Sequence, residues 1–297
     1  MALTLNNENY YSEEANMDYM SVSQFKDFAG TLMHSSCEST AYGKMMNEIP
    51  MVQTTPLLVG SYIDSYFEGT LQEFKDTHPE IISKTGATKG QLKADYRHAD
   101  TIIGRINADP LFSQFMSGQK QVIQTGTLFG VDWKIKMDSY FPDDKIVDLK
   151  VMRDMKPIWS DEKCMKSDFI RYWGYDIQGA VYQKIVEINT GKKLPFYIAC
   201  ATKEEVPDIA IIEITQEYLD AALKFVEENL PRVLAIKNGT EVPKRCETCA
   251  HCKMTKVLTS PISIGALIPK SQKDTADADA PSGSYDDEDI TFFDTFR

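Results

Sequence analysis

The stretch that decides the reading is WKIKMDSYFPDDKIVDLK, residues 133–150. Residues 131–141 and 145–151 are rich in β-branched, aromatic and apolar residues. Pro142, Asp143 and Asp144 between them are turn formers, so the sequence predicts a strand, a tight turn and a second strand. Side chains alternate along a strand, so Asp148 and Lys150 share a face, and the hairpin can bring Asp138 alongside. An Asp and a Lys two apart are common on solvated strands. Here they interrupt an apolar run of Ile146, Val147, Leu149 and Val151, and charges that enter a buried sheet need a partner or a metal ion. Two carboxylates and one ammonium suit a hard cation such as Mg²⁺ or Mn²⁺, which binds carboxylate and phosphate oxygens together. The cation activates water, and the lysine positions that water or neutralises developing charge.

Outward from this hairpin the pattern is mixed. Residues 122–128 read as a preceding strand, and 194–202 and 208–214 as two later ones. Apolar residues at helical spacing predict helices over 55–68, 168–189 and 216–237, the last closed by Asn238 and Gly239. Residues 79–118 are mainly helical, with a flexible loop near Gly86 and Gly90. A helix starts at Ser21, where serines are available as caps. Residues 1–20 are polar and read as a loosely attached arm, and no internal repeat is found. The order predicts an α/β fold with a central mixed sheet flanked by helices. It forms one catalytic domain over 21–268 with helical additions, followed by a disordered acidic tail over 269–297.

The chain carries 44 acidic and 32 basic residues, a net charge of -12. Half of the excess lies in residues 271–297, where eight acidic residues face only Lys273 and Arg297. This balance argues against a protein that coats nucleic acid with a generally basic surface, and it leaves room for a local basic channel beside an acidic metal site. No apolar run approaches the roughly 18 residues of a membrane span, and the first residues do not form a secretory signal. The expectation is a cytoplasmic protein, with its six cysteines reduced or metal-bound.

The pattern of an Asp, about ten residues and Asp-x-Lys resembles the PD-(D/E)xK nucleases, which have a restriction-endonuclease-like core. The surrounding motifs are similar to the exonuclease VIII (RecE-type) branch found in phages and prophages. They are YMSVSQFK at 19–26, LLVGSYID at 57–64, the 133–150 stretch and WGYDIQGAVY at 173–182. Together they extend over about residues 17–258. The resemblance implies an Mg²⁺-dependent exonuclease that digests linear double-stranded DNA from its ends. The single strand left behind would pass to an annealing recombinase. Family members often form rings or tetramers, which implies a homo-oligomeric ring. By position, Asp138 matches the first metal-binding Asp, Asp148 the second acidic residue and Lys150 the motif lysine. Gln178 and Tyr182, four apart on one helix face, match a Gln-x-x-x-Tyr motif and join the catalytic set. Many relatives carry His where this chain has Asp64; an Asp ligates a divalent cation as well. The implied metal ligands are Asp64, Asp138, Asp148 and the backbone carbonyl of Leu149. Lys134, Lys136, Arg153 and Lys156 flank the site as candidate phosphate contacts. A structure- or site-specific endonuclease, or a non-catalytic DNA-binding or inhibitory protein on the same fold, are the competing readings.

Cys246, Cys249 and Cys252 follow at C-x-x-C-x-x-C spacing, which suits thiolate ligation of an iron–sulfur cluster. Zinc is the alternative, with His251 able to supply a ligand, and three idle thiols are the bland one. A split arrangement of one early and three late cysteines is similar to that of AddB-type helicase–nucleases and CRISPR-adaptation nucleases. That resemblance implies a 4Fe–4S cluster on Cys37, Cys246, Cys249 and Cys252. Cys164 and Cys200 look unrelated. The tail YDDEDITFFDTF, residues 285–296, pairs acidic residues with aromatics and reads either as a partner-docking tip or as a solubilising tail.

Overall fold

The structure is a computed structural model that describes residues 3–50 and 53–267. The chain divides into a body, Met1–Met254, and a second unit, Thr255–Arg297. In the second unit the described residues run irregularly to a 3-10 turn at Ile264–Leu267. The expected tail over 269–297 lies outside the described residues.

The body opens with helices α1 (Glu13–Asp18), α2 (Val22–Ala29), α3 (Glu38–Met45), α4 (Thr55–Glu68), α5 (Leu71–Thr77), α6 (Ala94–Asn107) and α7 (Pro110–Phe115). Strands β1 (Gln119–Leu128), β2 (Val131–Phe141) and β3 (Lys145–Met152) follow. A small hairpin, β4 (Ile158–Ser160) and β5 (Met165–Ser167), leads into α8 (Phe169–Trp173) and α9 (Tyr175–Thr190). The body ends with β6 (Phe196–Thr202), β7 (Ile209–Ile214), α10 (Gln216–Lys237) and α11 (Ala250–Met254).

The main sheet has the order β1-β2-β3-β6-β7. β3 and β6 are parallel and the other pairs antiparallel. A parallel neighbour needs a long crossover, and the hairpin with α8 and α9 supplies it. This is the mixed α/β architecture that the sequence predicts. Alternation sends Ile146 and Met152 of β3 to a core shared with α2, α9 and α10. Val147 and Leu149 go to a second core with α4, α6 and α7. Full burial of a side chain such as Phe25, Trp133 or Phe196 stabilises by about 1.5–3 kcal/mol over exposure.

Two expectations are corrected. The helix expected over 168–189 is two helices, broken at Gly174, whose backbone has φ 65°. A Cβ there would lie 2.8 Å from Cδ of Lys26, a flexible side chain that can give way, so it is the positive φ that favours glycine. The apolar spacing continues across the break, which is why periodicity alone misses it. Residues 3–20, expected to be loosely attached, are packed on the body. Met20 bridges β2, its N–H donating to the Asp132 carbonyl at 2.8 Å and its carbonyl accepting from Lys134 N–H at 2.9 Å. Tyr10, Ala15 and Tyr19 are buried.

Candidate active site

The site forms where β2 and β3 part. Their ladder pairs Phe141 with Lys145, Tyr140 with Ile146 and Ser139 with Val147, and then stops. The next two residues in register are Asp138 and Asp148. The Leu149 N–H donates to Asp138 Oδ2 at 2.8 Å. The other oxygen of Asp138 accepts from Gln121 Nε2 at 3.2 Å. Gln121 stands at φ 51°, and the β1–β2 ladder skips its pair with Asp138. A non-glycine residue held in this region costs about 1–3 kcal/mol. Opposite this kink the alternation of β2 is broken, and Met137 and Tyr140, three apart, enter the same core. Asp138 is thereby left to line a small cavity with Asp64 and Glu68 of α4, Gln121 and Leu149.

Asp148 is 2% exposed. Its Oδ1 accepts from Gln178 Nε2 on α9 at 2.6 Å. Its Oδ2 is ion-paired with Lys150 Nζ but lacks a hydrogen bond of good geometry among the described residues. The Lys150 ammonium lies 5.2 Å from the centre of the Tyr175 ring. Lys26 Nζ sits over the same ring at 5.6 Å and donates to the Trp173 carbonyl at 2.9 Å. Tyr182 is buried, and its hydroxyl donates to the Lys136 carbonyl at 3.2 Å, so its contact is with the backbone of β2.

The charges here oppose one another. Burial pushes the Asp138 carboxyl well above the ordinary range, and the Asp148 charge adds to this while Lys150 opposes it. Burial raises Asp64 to about 7, with Glu68 and Asp148 adding and Lys150 opposing. Burial works against the Lys150 ammonium, but Asp148 and Asp138 outweigh it and hold its pKa above the usual lysine value. Lys26 is lowered to about 8 by burial and by the Lys150 charge. Several electrostatically coupled carboxylates beside one strong ammonium, with a buried oxygen lacking a hydrogen bond, are donors of the kind a divalent cation takes. Asp64, Asp138 and Asp148 are the side chains that could hold it. Leu149 reaches Asp138 through its N–H. An open groove of about 540 Å³ adjoins this cavity, lined among others by Tyr11, Asp64, Glu68, Lys120, Gln121 and Lys136.

Of the expected phosphate contacts, only Lys136 lines this groove. Lys134 does not: it is 1% exposed, and its Nζ donates to the Tyr10 carbonyl at 2.5 Å and to Asn16 Oδ1 at 2.8 Å. Arg153 pairs with Asp154 and Lys156 with Glu204, and both cations are exposed. Glu68 and Gln121 were not expected. Glu68 follows Asp64 by four residues on α4, so helical spacing was an available signal; the kink at Gln121 leaves no mark in the sequence.

Cys37, Cys246, Cys249 and Cys252 come together as a separate group, all four Sγ atoms within 4.8 Å of one another. His251 is outside it; its ring packs beside Gly43. Cys200 is buried and Cys164 exposed.

Residues 21–255 match the family described as a PDDEXK-like domain of unknown function (DUF3799). Among solved structures, a crystal structure of a "putative exonuclease" from Eubacterium rectale is 54% identical in sequence, with a TM-score of 0.84. The match covers 90% of this chain and 99% of that one. No curated protein matches the chain. A family match spanning most of the body, on a mixed sheet whose parting strands carry Asp138, Asp148 and Lys150, places this chain in the PDDEXK-like domain family.

Proposed function

We propose that the chain is a divalent-metal-dependent exonuclease that hydrolyses phosphodiester bonds at the ends of linear double-stranded DNA. The observation that carries the reading is the parting of β2 and β3 at Asp138 and Asp148, with Lys150 ion-paired to Asp148. Nuclease chemistry is supported by the family match, and exonuclease action by the similarity to the Eubacterium rectale protein. Asp64, Asp138, Asp148 and the Leu149 carbonyl are the groups that would hold Mg²⁺ or Mn²⁺. Bound there, the ion would supply an activated water and charge stabilisation at phosphorus. Lys150 keeps its proton, and its ammonium would hydrogen-bond the phosphate oxygens and neutralise the charge that develops there. Gln178 fixes the carboxylate plane of Asp148 through its 2.6 Å hydrogen bond. Lys136 and Lys120 offer positive charge along the adjoining groove, where a phosphate backbone can track.

In this reading the surviving strand passes to an annealing recombinase, and the enzyme assembles as a homo-oligomeric ring; the resemblance of the sequence motifs supports both. The test is Mg²⁺-dependent digestion of linear duplex bearing distinguishable 5′ and 3′ labels, beside a covalently closed circle of the same sequence. Expected is progressive release of nucleotides from one labelled end, an intact circle, and loss of both metal dependence and activity in Asp148→Ala. Cutting of the circle would replace the exonuclease reading with the endonuclease one. Inactivity on every DNA tested with Mg²⁺ or Mn²⁺ would favour a non-catalytic protein.

A further inference from the structure

We propose that Cys37, Cys246, Cys249 and Cys252 bind a single zinc ion as a structural tetrathiolate site, and not a four-iron cluster. The inference stands apart from the nuclease reading and rests on sulfur spacing. Cys37 Sγ lies 3.5 Å from Cys252 Sγ and 3.8 Å from Cys249 Sγ, and Cys246 Sγ lies 4.0 Å from Cys252 Sγ. All four are free thiols. Four sulfurs bound to one zinc at about 2.3 Å form a tetrahedron with edges of about 3.8 Å. These three separations surround that length, and the other three stay within 4.8 Å. In a cubane each thiolate takes its own iron atom, so the four sulfurs are spread well beyond contact with one another. This constellation leaves room for one atom at its centre.

The polar groups around the sulfurs fit the same reading. The Cys249 N–H donates to Cys246 Sγ at 3.3 Å, and the Cys252 N–H to Cys249 Sγ at 3.4 Å. The Thr248 hydroxyl donates to Cys246 Sγ at 3.4 Å, and the Thr40 hydroxyl lies 3.1 Å from Cys249 Sγ. Donors of this kind orient thiolates and spread their charge. The position of the site gives it a role. Three ligands lie on a segment whose one helix, α11, has five residues and buries only Cys252. The fourth, Cys37, is the N-terminal cap of α3. Alongside, the Ser39 N–H donates to the Lys244 carbonyl at 3.0 Å, and Glu38 accepts from the Lys244 N–H at 2.6 Å and from Arg232 of α10. A zinc ion would close this loop of more than 200 residues and fasten the segment from Lys244 to Met254 onto α3 and α10.

The full chain, purified anaerobically and without an affinity tag from cells supplied with both iron and zinc, provides the test. Elemental analysis, acid-labile sulfide and the visible spectrum are read together. Expected is close to one zinc per chain, no labile sulfide and a colourless protein. Cys249→Ser should lose the zinc and lower the unfolding midpoint by about 10 °C, while Cys164→Ser keeps both. Where Cys249→Ser does not fold, exchange of the wild-type metal for cobalt should give the intense visible bands of a tetrahedral thiolate site. Four irons with matching sulfide and a brown colour would overturn the proposal, and so would a soluble wild-type chain that contains neither metal.

Discussion

Asp148 has left water almost entirely and holds two side-chain partners in exchange, Gln178 and Lys150. Removing either charged member of that pair leaves the other buried and uncompensated. Asp148→Ala and Lys150→Ala should each lower the single-turnover rate at least about 100-fold, the scale of losing a charge-stabilising group at the reacting centre. Gln178→Ala, which only frees the orientation of Asp148, should cost about 10–100-fold and be partly rescued by raising Mg²⁺. The crowded carboxylates also make the metal-free protein sensitive to pH. Asp64 titrates near 7 in the folded chain against 3.8 for the ordinary group. The folded state therefore binds more protons between these values, and this contribution to stability grows as pH falls from about 7 toward 4. Urea midpoints of the wild type minus those of Asp64→Asn should rise through that window without divalent cation and flatten with saturating Mg²⁺. An unchanged difference would remove Asp64 from the cluster. At this scale Asp138, Asp148 and Lys150 were legible because the two-residue period of a strand fixes which side chains share a face. Glu68 could have been found from its spacing of four after Asp64 on α4, whereas Gln121 could not, since its place depends on one kink in β1.

The elements were legible where a period ran long enough to bury a face. Residues 55–68 and 216–237 are helices over the expected ranges, and the β1–β2–β3 meander falls within a few residues of prediction. β4 and β5 have three residues each, too few to show alternation, so the hairpin was invisible. The close seating of α9 on the sheet was also hidden. A Cβ at Gly179 would lie 2.7 Å from the Phe196 ring and 2.9 Å from Leu219, so α9 approaches β6 and α10 as closely as a bare backbone allows. Gly179→Ala should destabilise the fold by about 1–3 kcal/mol through overpacking, seen as a lower urea midpoint at unchanged slope. Because Gln178 is the neighbouring residue, the same substitution should lower activity even at temperatures where the variant stays folded. Wild-type stability in Gly179→Ala would mean that α9 sits further from the sheet.

At the scale of the molecule, the arm before α2 is what composition misread. Its polar residues suggested loose attachment, yet Lys134 buries its ammonium under Tyr10, with the ring centre 4.8 Å away, and burial lowers its pKa to about 8. No local pattern announces a lysine whose partners lie more than a hundred residues upstream. Deleting residues 1–20 would strand that ammonium and leave the Asp132 carbonyl and the Lys134 N–H without Met20. The expected loss is about 5 kcal/mol or more from the apolar burial of Tyr10, Ala15, Tyr19 and Met20, measurable by chemical denaturation. The parting of β2 from β3 has a further consequence. It frees the main chain of β2 near Asp132 and Lys134, and Met20 fills that vacancy. The family match begins at residue 21, one position too late to include this plug. A protein trimmed to the matched span would present an open strand margin, and such margins recruit other chains. Its first symptom in solution would be concentration-dependent self-association, ahead of any defect in chemistry.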